Sequence, residues 1–352
     1  MIAASYSCRV RRLFVATALL TTLLSAASHA ADNGLFATSE PLVLRLEAPF
    51  SSIKGTKAKP EYMEGTLKLQ EGGVEKAFDV RLRLRGHSRK EVCDFPPLLL
   101  NFKTSDLKGS VLEGQNKLKL VTHCKATTTF DQYLRLEYLS YRALNLLTDM
   151  SLRARPLTVT YYDTERKREL DVRPALFIED VERFADRKGL TEVEVPRIDP
   201  KQYDREALGL VNMFEYFIGN TDWAATAGPQ GSNCCHNIVP YQRPDGVLVP
   251  VPYDFDSSGI VNTPYAVPNE RLKINSVRQR LYRGTTCESL ADLEPRFAKF
   301  DAVKPQLLEL FSTSSGLDKR IAAGATEYID EFFDTRADPK KVERAFRPGC
   351  KS

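Results

Sequence analysis

Apolar and polar residues alternate through much of the first half of this chain, and a helical repeat then takes over. Leu42 to Leu46 alternates, as does Gly65-Thr66-Leu67-Lys68-Leu69. From Phe78 to Arg85, Val80, Leu82 and Leu84 share one face while Arg81, Arg83 and Arg85 occupy the other. A period of two is that of a half-buried strand. Leu98–Phe102 and Lys117–Val121 predict two further strands, and together these segments suggest a mostly antiparallel sheet. The first convincing helix runs from Asp131 to Thr148, where Leu134, Tyr138, Tyr141 and Leu144 or Leu147 recur at helical spacing. Strands at Leu157–Tyr162 and Pro174–Ile178 lead out of this region into a polar, helical segment.

The second half opens with a helix from about Arg205 to Ile218, on which Leu208, Val211, Phe214 and Ile218 form one apolar stripe. Gly219 suits a left-handed cap. A hairpin follows, with Asn237–Tyr241 and Val247–Tyr253 joined through the turn Arg243-Pro244-Asp245-Gly246. Helices are predicted at about 289–312 and 317–334, with a charged, loosely packed tail beyond. The fold class read from this pattern is α+β, divided into an antiparallel-sheet lobe at 31–178 with one helix and a mainly helical lobe at 179–335, with a tail at 336–352.

The first thirty residues change the picture. Arg9, Arg11 and Arg12 precede an apolar run from Leu13 to Leu24, and small residues lead to Ser28-His29-Ala30-Ala31. That order is the pattern of a secretory signal, with cleavage expected after Ala30. The run is shorter than the ~20 apolar residues a membrane span requires. Residues 31–352 then hold 47 basic and 46 acidic residues, because the signal removes three of the 50 basic residues and no acid. Near-neutral charge gives no electrostatic support to a nucleic-acid partner, and no later segment is apolar enough to span a membrane. Cys93, Cys124, Cys234, Cys235, Cys287 and Cys350 make an even set, which suggests disulfides in an exported chain, with fifteen pairings open. Export would place the chain in the periplasm or the external medium.

Candidate chemistry gathers around the hairpin. Antiparallel strands bring their open ends within roughly 5 Å, so Asn237 and Asp254 can face one site. Asp222 begins just past a helix end, close enough to join them. An Asp on a loop, an Asn at the hairpin base and Asp254-Phe255-Asp256 at its far end suit metal-assisted phosphoryl transfer. Magnesium is commonly held by one or two carboxylates and substrate phosphates, and protein kinases use Asp, Asn and Asp in this order. The spacing differs, since Asp222 and Asn237 are fifteen residues apart. The mature histidines His87, His123 and His236 lack zinc-protease spacing, and no Gly-x-Ser-x-Gly occurs.

Arg85-Gly86-His87-Ser88, Phe95-Pro96, Glu179, Asn220-x-Asp222, Asn237 and Asp254-Phe255-Asp256 together resemble the CotH family of spore-coat-type atypical secretory kinases. The similarity spans roughly 78–260. It implies a two-lobed atypical kinase-like fold with the hairpin at the site. It further implies Asp222 as the catalytic residue, with Asn237, Asp254 and Asp256 on Mg²⁺ or Mn²⁺. ATP would be met by Arg85 and Ser88 in the turn, with Glu179 in the acidic position before the second lobe. Family members carry lysines after Phe-Pro where this chain has Pro97-Leu98-Leu99. Lys117 or Lys119, paired with Glu137, is the substitute. The acceptor would be a hydroxyl of a protein or a glycan. The alternative is a non-catalytic envelope binding or structural module that retains a kinase-like shell.

Overall fold

The computed structural model describes Met1 and residues 34–86, 88–284 and 288–347. The expected export signal, His87, Cys287 and Cys350 therefore lie outside the described residues.

In chain order the elements are β1 (Leu42–Ala48), α1 (Phe50–Gly55), β2 (Met63–Glu71), β3 (Val74–Leu84), α2 (Arg89–Val92), β4 (Leu98–Phe102) and β5 (Lys117–Val121). Next come α3 (Thr128–Leu147), β6 (Ala154–Asp163), β7 (Arg168–Ile178), α4 (Val181–Lys188), β8 (Thr191–Glu192) and α5 (Arg205–Ile218). The last are β9 (Ile238–Gln242), β10 (Leu248–Pro252), α6 (Leu290–Ser312), α7 (Lys319–Arg336) and α8 (Pro339–Phe346).

Seven strands close into a barrel in the order β1-β2-β3-β4-β5-β7-β6. Six neighbours pair antiparallel, but β1 and β6 run parallel, with Leu42 opposite Leu157 and Leu46 opposite Tyr161. This overturns the expected two-lobed kinase-like fold with an antiparallel-sheet lobe: the strands form a closed mixed barrel accompanied, among the described residues, by eight α-helices. The alternation was a sound guide to which residues point inward. Leu46, Leu67, Leu82, Leu100, Leu118 and Val159 are all buried in one core. Alternation carries no information about partners, however, and the closing pair joins strands far apart in sequence. Closure leaves no unpaired edge.

A second core packs α3, α5, α6, α7 and α8 with the β9–β10 hairpin, and residues on both sides of position 178 share it. Helix α5 starts where Asp204 accepts hydrogen bonds from the Glu206 and Ala207 amides, both at 3.0 Å. It ends at Gly219, whose φ of 68° is left-handed and where a Cβ would meet the Tyr328 hydroxyl. As far as residue 347 the tail is not loose as expected: α8 buries Val342 and Phe346, the latter against Tyr216, Tyr282 and Phe297. Among the described residues no helix is long and apolar enough to cross a membrane.

Candidate functional site

Immediately after Gly219 the chain enters the site. Asn220 is buried, and its Oδ1 accepts a bond from the Asp222 amide at 2.9 Å. Ala224 and His236 exchange two backbone bonds at 2.9 and 3.0 Å, which pins this loop to the entrance of β9. Asp222 thereby meets two neighbours. His236 Nε2 lies 2.8 Å from its Oδ1, and Asn237 Nδ2 donates to its carbonyl at 2.7 Å and to Oδ2 at 3.3 Å. The bond to Asp222 is the main reason the His236 pKa is raised, with burial opposing it. The Asp222 side chain remains half exposed.

At the hairpin's open end the Tyr253 amide donates to the Asn237 carbonyl at 3.0 Å. Asn237 and Asp254 flank this junction, and both hold left-handed backbones, with φ of 53° and 64°. Non-glycine residues adopt that region at a cost, which surrounding structure must overcome. Part of the compensation is visible: the Asp254 amide donates to the Tyr141 hydroxyl of α3 at 2.9 Å. Phe255 is the anchor between the two aspartates, fully buried with its ring 4.7 Å from Tyr141 and 5.5 Å from Phe214. The dipeptide steps on either side of an inward Phe leave Asp254 and Asp256 facing the same partner.

That partner is Arg89, at the first turn of α2. Its guanidinium approaches Asp254 Oδ1 at 2.5 Å, Asp256 Oδ2 at 2.8 Å and both Glu137 oxygens at 3.2 and 3.4 Å. The Tyr265 hydroxyl also donates to Asp256 Oδ2 at 2.9 Å. One buried cation thus faces three carboxylates, of which Glu137 and Asp256 are buried and Asp254 is part-exposed. Burial, with Asp256 and Asp254 adding to it, pushes the Glu137 carboxyl up to about 7 against the pull of Arg89. Burial likewise raises Asp256. For Asp254 burial acts in the same direction but is outweighed by Arg89 and Arg85, so its pKa is lowered.

The residues expected to meet a nucleotide separate. Lys119 on β5 sits over the Tyr253 ring at 5.0 Å, and burial followed by the charge of Arg85 brings its pKa down to about 8. Asp180, Asp254 and Glu192 partly offset that fall, so Lys119 and Arg85 belong to the Asp254 neighbourhood. Lys117 instead pairs with Glu182 at 3.0 Å on an exposed face. Glu137 meets Arg89 rather than either lysine. Glu179 is clamped between Arg153 at 2.9 Å and Arg187 at 2.8 Å, where it holds α4 to the strands. Ser88 is exposed, and its side chain makes no capping bond to α2.

Three participants were missed in the sequence. Arg89 lies one residue beyond the Arg-Gly-His-Ser turn, on a helix too short to show a period. Tyr265 sits in an irregular segment. Glu215, on the buried stripe of α5, is 1 % exposed beneath the Asp222 loop, and burial pushes its carboxyl up to about 8. Asn220, Arg283 and Asp222 are the groups that act on it, the first two favouring its charged form. The polar interruption of an apolar helix face was the available signal.

As arranged, these carboxylates do not fit a magnesium ion. Asp254 and Asp256 each commit an oxygen to Arg89, and among the described residues no three acidic, histidine or cysteine side chains gather as a metal site. Cys93 and Cys124 are disulfide-bonded with Cα atoms 4.6 Å apart, which ties the end of α2 to the end of β5. Cys234 and Cys235 are bonded to each other just before His236. Compared with protein-family models and with curated proteins, the chain matches none.

Proposed function

We propose that this chain is an exported phosphotransferase that moves a phosphoryl group from a nucleoside triphosphate to a hydroxyl of a protein or glycan. The observation that carries the reading is the convergence of Asp222, Asn237 and Asp254 at one hairpin base, opposite Lys119 and Arg85. Asp222 is half exposed and oriented from two sides, as a general base must be if it is to reach an incoming hydroxyl. Its proton acceptance frees the hydroxyl oxygen to bond to the terminal phosphorus while the bond to the diphosphate leaving group breaks. Lys119 and Arg85 supply positive charge to the phosphate oxygens, which is where such a reaction needs stabilisation. Arg89 fixes Asp254 and Asp256 in place. No step is assigned to a metal, since the carboxylates that would hold it are engaged by Arg89.

The same engagement favours a second reading, a non-catalytic envelope module whose carboxylates and arginine form a structural lock. Transfer from γ-labelled ATP to a panel of protein and glycan acceptors separates the two. Asp222→Asn should retain nucleotide-induced thermal stabilisation and lose transfer by ~100-fold or more, in keeping with the contribution of a general base. Absence of both labelling and stabilisation at millimolar ATP, with magnesium or manganese supplied, leaves the module.

A further inference from the structure

Two cavities between the barrel and α3 share no residue with the Arg89 cluster. The first, of about 410 Å³, is floored by Leu139, Leu157, Leu176 and Leu310. The second, of about 540 Å³, is lined by Thr38, Asn145, Thr148 and Ser151, which already bond to one another or to backbone but keep hydroxyl lone pairs, together with Asp149, Arg153 and Arg187. They meet at Ser39 and Arg142, which line both. Arg142 is half-buried and donates to the Tyr138 hydroxyl at 3.0 Å. Among the described residues no carboxylate lies within ion-pair distance of it, whereas its neighbour Arg187 in the second cavity is committed to Glu179 and Asp149 is met by Lys188. Glu40, at the edge of the first cavity, acts on Arg155.

A leucine-floored chamber, rimmed by Arg135, bonded to the Ser315 carbonyl, and by Arg173, paired with Asp131, leads to Arg142 without an acid partner and then to a chamber lined by hydroxyls. We propose that the joined cavities bind a single-chain lipid with a phosphate and a polyol head. The acyl chain fills the first chamber, the phosphate meets Arg142 at the junction, and the polyol exchanges hydrogen bonds in the second. Each volume is within the range of small-molecule sites, and a guanidinium matches a phosphate through two parallel bonds.

Calorimetric titration of the full-length protein with lauroyl lysophosphatidylglycerol, below its micelle concentration, tests this. Saturable one-to-one binding is expected. Monolaurin, which lacks the phosphate and the head glycerol, and glycerol 3-phosphate, which lacks the chain, should each bind about tenfold more weakly or worse. Arg142→Met should weaken the lysolipid to a similar degree, and Thr158→Trp should do so by filling the apolar chamber without altering charge. Circular dichroism checks that both variants fold. Equal binding of monolaurin, indifference to either substitution in a folded variant, or no binding by the wild-type chain overturns the proposal.

Discussion

Replacing Glu215 by Gln removes a titrating carboxyl from beneath the Asp222 loop while keeping its shape. The wild-type carboxyl is buried, and none of the described residues forms an ion pair or hydrogen bond with it at ordinary distance, although the Asn220 amide stands beside it. Its pKa rises from an ordinary 4.5 to about 8 in the folded protein. Below pH 4.5 both folded and unfolded chains carry the proton, and the site adds no pH dependence. Between those values the folded chain holds a proton that the unfolded chain releases, so wild-type stability falls as pH rises. At 1.36 kcal/mol per pH unit the accumulated loss by pH 8 is ~5 kcal/mol. Glu215→Gln cannot titrate and escapes that loss. Urea unfolding at pH 4, 6 and 8.5 should give two proteins of similar stability at pH 4, with the variant more stable by several kcal/mol at pH 8.5. Parallel stability curves for the two proteins across the whole range refute the argument, because they require Glu215 to be ionised in the fold at no cost.

Arg89→Met leaves Glu137 and Asp256 buried, and Asp254 part-buried, without their cation and should cost ~3–5 kcal/mol at pH 8. The cost should shrink at pH 5 as carboxylates take up protons, and an equal urea-unfolding loss at both values sinks the account. Lys119, with a pKa of about 8, is about half neutral at pH 8. Its reductive methylation, mapped by mass spectrometry against pH, should show a midpoint that rises in Arg85→Ala; an unmoved midpoint rejects the neighbourhood. Removing the Cys93–Cys124 bond, which closes a loop across a sequence separation of 31, should cost ~3–4 kcal/mol by chain entropy. A melting temperature for Cys93→Ser equal to wild type under oxidising conditions would contradict that.

How far the site could be read in advance depended on the range of the interaction behind each residue. Strands β4 and β5 and helix α5 begin and end where the pattern placed them, because alternation, an Asp204 cap and Gly219 are local causes. Asn237 and Asp254 were also legible, since a hairpin with a short turn must return its chain to where it began. The β1–β6 closure was not, because no residue in Leu42–Ala48 encodes which distant strand will lie alongside it. Glu137 shows the same limit on a smaller scale. Its inward position follows from the helical period of α3, but its partner comes from a four-residue helix, so a lysine was expected where an arginine stands.

The charges around the hairpin can be understood only together. Arg85 helps to depress Lys119 and also to keep Asp254 ionised, so the barrel side of the site concentrates positive charge while Asp254 supplies a fixed negative one. Across from them, Asp222 is the carboxylate left outside the Arg89 contacts, and its partners are an amide and an imidazole. Those partners leave it exposed enough to accept a proton. Asp254 and Asp256, locked to a guanidinium whose own pKa they raise, are poorly placed to do so. The contrast among three aspartates therefore follows from one buried arginine, and the proposed phosphoryl transfer has Asp222 alone as its base.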